Sequence, residues 1–166
     1  IILHGCNGRM GQMIAGLLKD DTEARIAAGV DAYTGVQNPF PVFQNIEDCD
    51  VKADVVVDFS NAAAVDALLD WCARTKTPVV LCTTGLSREQ LEKVEKTAEK
   101  TAVLKSANMS VGINLLLKLL KEAAPTLAAA GFDIEIVEKH HNQKLDAPSG
   151  TALALADAVN EASDGV

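Results

Sequence analysis

The stretch ILHGCNGRMGQMIAG (2–16) places glycines between an apolar run and a helical pattern. Gly5, Gly8 and Gly11 follow the spacing G-x-x-G-x-x-G, which differs from the usual G-x-G-x-x-G of dinucleotide sites. The first glycine allows a tight turn after a strand, the second allows backbone to approach a pyrophosphate, and the third allows helix and strand to pack closely. The start of the helix then offers free N–H groups to phosphates. A purely structural turn is the alternative interpretation, and the rest of the sequence decides between the two.

Apolar runs and helical patterns alternate over the first hundred residues. The predicted strands cover 1–5, 24–31, 54–60, 78–85 and 101–108, and the predicted helices cover 11–20, 61–75 and 87–100. Continuously apolar strands separated by helices are typical of a parallel sheet covered on both faces. We therefore predict a doubly wound, Rossmann-like α/β domain over residues 1–109.

The pattern changes after residue 109. Residues 110–131 are apolar around most of a helix, which predicts burial between two bodies. Residues 132–139 alternate between apolar and charged, which predicts a half-exposed strand. We therefore expect residues 110–166 to be the first part of an α+β domain. Because Ile1 lies inside an apolar run and the sequence stops just after a helical pattern, we expect a longer protein.

The composition excludes several classes of protein. The net charge of -8 argues against a broad nucleic-acid surface, and no apolar stretch approaches the roughly 20 residues of a membrane span. The cysteines Cys6, Cys49, Cys72 and Cys82 form no C-x-x-C pair, so the sequence contains neither a zinc ribbon nor a thioredoxin motif. We predict a soluble cytoplasmic protein without nucleic-acid or membrane partners.

Asp31 ends the second predicted strand, about 20 residues beyond the last glycine of the turn, where a carboxylate accepts hydrogen bonds from an adenosine ribose. Ala32 follows in place of a basic residue, so repulsion of a 2′-phosphate favours NADH over NADPH. Arg9 offsets part of this repulsion, and use of both coenzymes stays open. Three further strand ends, DFSN (58–61), CTTG (82–85) and SANMS (106–110), place small polar residues at the same edge. The predicted cofactor-binding residues are Gly5, Cys6, Asn7, Gly8, Arg9, Met10, Gly11, Asp31, Phe59, Ser60, Cys82, Thr83, Thr84, Ser106, Ala107, Asn108 and Met109.

The segment KHHNQKLDAPSGTALA (139–154) brings reactive groups together beside a helix start. His140 and His141 exchange protons near neutral pH, Lys144 adds a compact positive charge, and the Gly150 and Thr151 N–H groups suit a carboxylate. The alternative is an ordinary helix cap at Ser149 with two exposed histidines. We expect no metal site, since no cysteine joins the cluster and its carboxylates have no familiar ligand spacing.

These residues carry a family resemblance. EKHHNQKLDAPSGTA (138–152) resembles the signature E-x-H-H-x-x-K-x-D-A-P-S-G-T-A of the dihydrodipicolinate reductases, also called 4-hydroxy-tetrahydrodipicolinate reductases. GCNGRMG (5–11) resembles their G-x-x-G-R-M-G, and SANMSVGIN (106–114) resembles their A-x-N-[FM]-S-x-G. Cys82 stands where their G-T-T-G has its first glycine, and Met109 stands where some members have phenylalanine.

The resemblance implies an NAD(P)H-dependent reduction of a small cyclic dicarboxylate on the diaminopimelate route to lysine. His140 would be the proton donor and acceptor, and Lys144 the second proton donor and carboxylate partner. His141 would help hold the substrate, and the Gly150–Thr151 backbone would bind a carboxylate. The second domain would bind substrate and form a homotetramer. Two alternatives remain: a dinucleotide-binding regulatory module without turnover, and another two-domain oxidoreductase such as a semialdehyde dehydrogenase. The latter needs a nucleophilic cysteine, and the 140s segment has none.

Overall fold

The computed structural model describes residues 1–140, 142 and 147–163. The chain divides into two compact units, Ile1–Ser106 and Ala107–Val166. Each unit has its own secondary structure and is described by itself below.

The first unit is a six-stranded parallel sheet with helices between its strands. The strands are β1 (Ile2–His4), β2 (Ala28–Val30), β3 (Val42–Phe43), β4 (Val56–Asp58), β5 (Val79–Leu81) and β6 (Val103–Lys105). The helices are α1 (Arg9–Leu17), α2 (Ala62–Thr75) and α3 (Arg88–Ala98). The spatial order is β3-β2-β1-β4-β5-β6 and every pairing is parallel. The predicted doubly wound, Rossmann-like fold is therefore confirmed.

The core of this unit lies between the central strands and α2. Ile2, Val56 and Leu81 pack there against Leu68 and Leu69 of α2, and all five are fully buried. The strands are apolar on this side because α2 covers it. Since β1 lies between β2 and β4, the strand order reverses beside β1, where open α/β sheets bind ligands.

Polar residues define where the helices begin. Asn61 precedes α2 and its side chain accepts a hydrogen bond of 3.0 Å from Ala63 N. Ser87 precedes α3 and forms a capping box with Gln90. The sequence predicts a weak cap from Ser87 and Glu89. In the structure the reciprocal partner is Gln90, while Glu89 accepts a hydrogen bond from the Ser87 hydroxyl.

β3 and the short 3-10 helix Ile46–Asp48 are not predicted from the sequence. β3 has two residues and directly follows Pro41, so it carries too little periodicity to be read from the sequence. The other strands are shorter than predicted, because each is hydrogen-bonded to its neighbours over three residues only.

The second unit contains two helices in its described part, α4 (Val111–Ala129) and α5 (Gly150–Ala162), which pack together. Lys121 of α4 pairs with Glu161 of α5 at 2.7 Å. Within the described residues α5 covers only part of α4, and Leu115 and Leu119 are 55% and 51% exposed, so these residues do not themselves supply the all-round burial predicted for α4. None of the helices formed by the described residues is long and apolar enough to cross a membrane.

The strand predicted over 132–139 is not formed. Its backbone is irregular, and Ile134 and Ile136 are 38% and 41% exposed. Alternation of apolar and charged residues does not make a strand by itself, since a strand needs a neighbour to accept its backbone hydrogen bonds. The described part of the second unit offers no such neighbour.

Candidate functional site

The glycine turn joins β1 to α1 and its three glycines have different surroundings. Gly5 has a φ of 79°, and a Cβ there would lie 2.6 Å from Phe59 O. A Cβ on Gly11 would lie 2.3 Å from Gly5 O. A Cβ on Gly8 would lie 3.4 Å from its nearest neighbour, so the protein itself leaves room there. Gly5 and Gly11 are thus required by the fold, and Gly8 is open to a ligand.

Gly8 is the N-cap of α1 and offers no side-chain cap. The first N–H groups of a helix have no partner within it, and the helix dipole makes them attractive to anions. No acidic residue lies in the first turn of α1. This helix start therefore suits a phosphate.

Asp31 follows β2 and is held against the glycine turn. One carboxylate oxygen accepts a hydrogen bond of 2.9 Å from Asn7 N and the other accepts one of 3.0 Å from Tyr33 N. The Asn7 side chain continues the link, because it donates to Tyr33 O and accepts from Asn38 Nδ2 at 2.7 Å. Each carboxylate oxygen keeps further acceptor capacity for a ribose hydroxyl.

A cleft of about 720 Å³ lies at the carboxyl ends of β1, β2 and β4, within the first unit. Among the predicted cofactor residues, the structure places five on its walls: Gly5, Gly8, Asp31, Phe59 and Ser60. The rest of its lining comes from His4, Val30, Ala32, the segment after β3 and the start of α2. The cleft has the position and the backbone groups that a dinucleotide needs, so these residues fit such a cofactor.

Other predicted cofactor residues lie elsewhere. Cys6 is fully buried and faces Gly29, where an added Cβ would lie 2.6 Å from its Sγ. Cys82 and Thr83 are buried too, whereas Arg9 and Met10 are exposed at the start of α1. Thr84 is exposed and Ser106 is half-buried. Cys6 and Gly11 therefore pack against the glycine turn from the core side. Cys82 and Thr83 are buried just after β5, at the carboxyl edge of the sheet.

A buried polar cluster lies at the ends of β1, β4 and β5. His4 Nδ1 lies 2.6 Å from Asp58 Oδ1, and the Thr83 hydroxyl donates a hydrogen bond of 2.6 Å to Asp58 Oδ2. Ser60 N donates to Asp58 Oδ1 at 3.2 Å. Burial opposes ionisation of the Asp58 carboxyl, but these hydrogen bonds from His4, Ser60 and Thr83 together hold its pKa below the ordinary value.

In the second unit the start of α5 is built as the sequence predicts. The Ser149 hydroxyl accepts a hydrogen bond of 3.1 Å from Ala152 N, and Ser149 N donates one of 2.9 Å to Glu138 Oε1. His140 is exposed, with its Nδ1 3.5 Å from Glu138 Oε2. Glu138 therefore lies beside both the helix start and the predicted proton donor.

The residue after Gly150 is also held in place. The Asn108 amide donates a hydrogen bond of 3.0 Å to the Thr151 hydroxyl, which joins a predicted cofactor residue to a predicted substrate residue. Ala107 and Met109 flank Asn108 and both are exposed. His141 and Lys144 lie outside the described residues.

Comparisons with known proteins match this chain along nearly its whole length. The family described as "Dihydrodipicolinate reductase, N-terminus" matches residues 1–109, and "Dihydrodipicolinate reductase, C-terminus" matches residues 112–165. The chain belongs to the dihydrodipicolinate reductase family. The fold and the resemblance inferred from the sequence are thereby confirmed.

Two relatives of the dihydrodipicolinate reductase family carry the name 4-hydroxy-tetrahydrodipicolinate reductase. The protein of Caldanaerobacter subterraneus subsp. tengcongensis is 52% identical over 161 residues, and that of Clostridium tetani is 49% identical over the same length. Each alignment covers 97% of this chain and 63% of the relative. The chain thus spans less than two thirds of the length of these relatives.

A solved structure of the family is similar to this chain. It is a dipicolinate-bound dihydrodipicolinate reductase from Paenisporosarcina sp. TG-14, with a TM-score of 0.76 and 31% identity. The match covers 98% of this chain and 65% of that one.

Sequence reasoning missed His4, Asp58 and the segment after β3. Gln44, Glu47 and Asp48 of that segment line the cleft. A histidine and an aspartate inside otherwise apolar strands were the available signal, because buried polar groups must find partners.

Proposed function

We propose that the whole protein reduces 4-hydroxy-tetrahydrodipicolinate to tetrahydrodipicolinate with NADH or NADPH, in the cytoplasm and as a homotetramer. The observation that carries the proposal is the cleft formed by the glycine turn, Asp31 and the end of β4, in a chain of this family. The names of the relatives and the dipicolinate bound to the structural neighbour support the substrate class. The domain boundary near residue 109 is part of the proposal.

Each unit has a separate task in the proposed reaction. In the first unit, the start of α1 holds the pyrophosphate and Asp31 accepts hydrogen bonds from the adenosine ribose. When bound, the nicotinamide supplies a hydride. In the second unit, the Gly150 and Thr151 N–H groups hold a substrate carboxylate, because they lie at the start of α5 where Ser149 caps the helix.

Proton transfer is assigned to the histidine segment. The substrate loses its hydroxyl and a ring proton as water, and the hydride and a proton from His140 then add across the double bond so formed. Glu138 Oε2 lies 3.5 Å from His140 Nδ1, so its carboxylate would attract the ring when His140 carries a positive charge. Lys144 and His141 are assigned to the substrate carboxylates and complete the site.

Oxidation of NADH and NADPH with freshly generated substrate tests the proposal on the whole protein. We expect His140→Ala to lower kcat about 100-fold or more, which is typical for loss of a general acid. Lys144→Ala should lower kcat/KM, while Lys139→Ala is the matched control because Lys139 is an exposed lysine of the same segment. Full activity in both the His140 and Lys144 variants would refute the assigned roles. Binding of NADH without turnover would indicate a regulatory module instead.

We further propose that NADH is preferred, because a 2′-phosphate would lie beside the Asp31 carboxylate. The kcat/KM ratio of NADH to NADPH measures the preference, and Asp31→Asn should shift it toward NADPH. A wild-type protein with a strong preference for NADPH would contradict this charge argument.

A further inference from the structure

The side chains of His4, Asp58 and Thr83 form a row across the carboxyl edge of the sheet. His4 and Asp58 are register partners in the β1–β4 pair. Leu81 is the partner of Asp58 in the β4–β5 pair, and Thr83 follows it by two residues, so all three side chains lie on one face. They are 5%, 0% and 6% exposed.

The Asp58 carboxylate determines the tautomer of His4. Its pKa is held below the ordinary value, so it is ionised at neutral pH and only accepts hydrogen bonds. His4 Nδ1 must then carry the proton in their 2.6 Å contact. The amide of Ser60 and the hydroxyl of Thr83 are the other donors to Asp58.

This cluster is continuous with the walls of the cleft. His4 O accepts a hydrogen bond of 2.9 Å from Phe59 N, and Gly5 approaches Phe59 so closely that a Cβ would lie 2.6 Å from its carbonyl oxygen. His4, Gly5, Phe59 and Ser60 all line the cleft. The His4 backbone thus links the first glycine of the turn to the end of β4.

We propose that His4 is a positioning residue for the dinucleotide, which acts through its Nδ1–H bond to Asp58 to fix Gly5 and Ser60, which lie side by side in the lining of the cleft. The inference rests on the proposed binding of NAD(P)H in this cleft. It assigns the effect to the Nδ1 side of the ring, and a direct contact of Nε2 with the dinucleotide is the competing arrangement.

Two amide substitutions separate the two arrangements. The Asn side chain places an N–H donor close to the position of His Nδ1, whereas the Gln side chain reaches the position of Nε2. We expect His4→Asn to bind NADH within about twofold of wild type. His4→Gln and His4→Ala should raise the Kd about tenfold, which corresponds to about 1.4 kcal/mol.

The Kd is measured by NADH fluorescence titration of the whole protein, beside thermal unfolding of each variant. Ser87→Ala is the stability control, because it removes the cap of α3 away from the cleft and should leave the Kd unchanged. The ¹⁵N NMR signals of His4 provide a readout without coenzyme, and we expect a protonated Nδ1 in wild type.

Each outcome distinguishes the inference from the proposed function. If His4→Gln binds like wild type and His4→Asn does not, the ring acts through Nε2 and the inference is overturned. It is also overturned if the Ser87 control weakens binding as much as His4→Ala, or if His4 Nδ1 is unprotonated. A wild-type protein that binds neither NADH nor NADPH overturns the proposed function together with the inference.

Discussion

Two glycines of α1 allow one substitution to be compared in opposite surroundings. A Cβ on Gly16 would meet nothing within 4 Å, whereas a Cβ on Gly11 would lie 2.3 Å from Gly5 O and 2.6 Å from Cys6 O. Gly16→Ala should stabilise the protein by about 0.5–1 kcal/mol, because alanine loses less backbone entropy in a helix. Gly11→Ala gains the same amount from the helix but must displace backbone atoms that cannot rotate away.

The expected net effect of Gly11→Ala is a loss of about 2 kcal/mol or more, at the upper end of overpacking costs. Scanning calorimetry of both variants measures the difference. For a chain of this size, about 1 kcal/mol shifts Tm by roughly 2–4 °C, so the two variants should differ by several degrees with opposite signs. Equal shifts, or a Gly11 variant as stable as wild type, would refute the close approach of α1 to the turn. We also expect the Gly11 variant to bind NADH more weakly, since its Cβ displaces Gly5.

Three further outcomes follow from the caps and the titrating groups. The pKa of Asp58 is lowered in the folded protein, so its contribution to stability is present above about pH 4, the unfolded value, and is lost as the pH falls through the folded pKa. In urea titrations, the free energy of unfolding of Asp58→Asn should therefore depend less steeply on pH in the acid range. Ser149→Ala should cost about 1 kcal/mol of helix stability, and hydrogen exchange of the α5 amides should be about fivefold faster. Burial raises the pKa of Cys6 and Cys82 to about 11 and that of Cys72 to about 12. Alkylation of these thiols at pH 8 should therefore be slow until the protein is unfolded with urea. Rapid alkylation of the native protein would contradict this burial.

The sheet could be predicted because its strands are written as short, continuous apolar runs. Val55, Val56 and Val57 form such a run, and it yields β4 with little ambiguity. β3 could not be found, since Val42 and Phe43 become a strand only by pairing with residues 29 and 30 of β2. The strand predicted over 132–139 shows the converse. Its apolar and charged residues alternate, but no neighbouring strand lies among the described residues to pair with it.

The residues of the candidate site also fall into two groups, those that are close in sequence and those that only the sheet brings together. Gly5, Gly8 and Asp31 were predicted from spacing, because the turn and the strand that follows it are close in sequence. The pairing of His4 with Asp58 joins residues 54 positions apart, and only the sheet register brings them together. Cys6 is predicted as a cofactor residue from its place between two glycines of the turn, and in the structure its side chain is buried against Gly29.

The charges around the cleft bear on how an anionic coenzyme is held. Asp31, Glu47 and Asp48 line it, and His4 is the one basic side chain among its lining residues in the described part of the chain. Glu47 is paired with Arg74, which neutralises that carboxylate in part. The lining side chains therefore do not attract phosphates, and in the proposed binding mode the pyrophosphate is held by the backbone N–H groups and the dipole at the start of α1, where Arg9 adds a positive charge. A 2′-phosphate on the adenosine ribose would in addition lie beside the Asp31 carboxylate. The charge distribution thus extends the argument for NADH from a single carboxylate to the whole lining of the cleft.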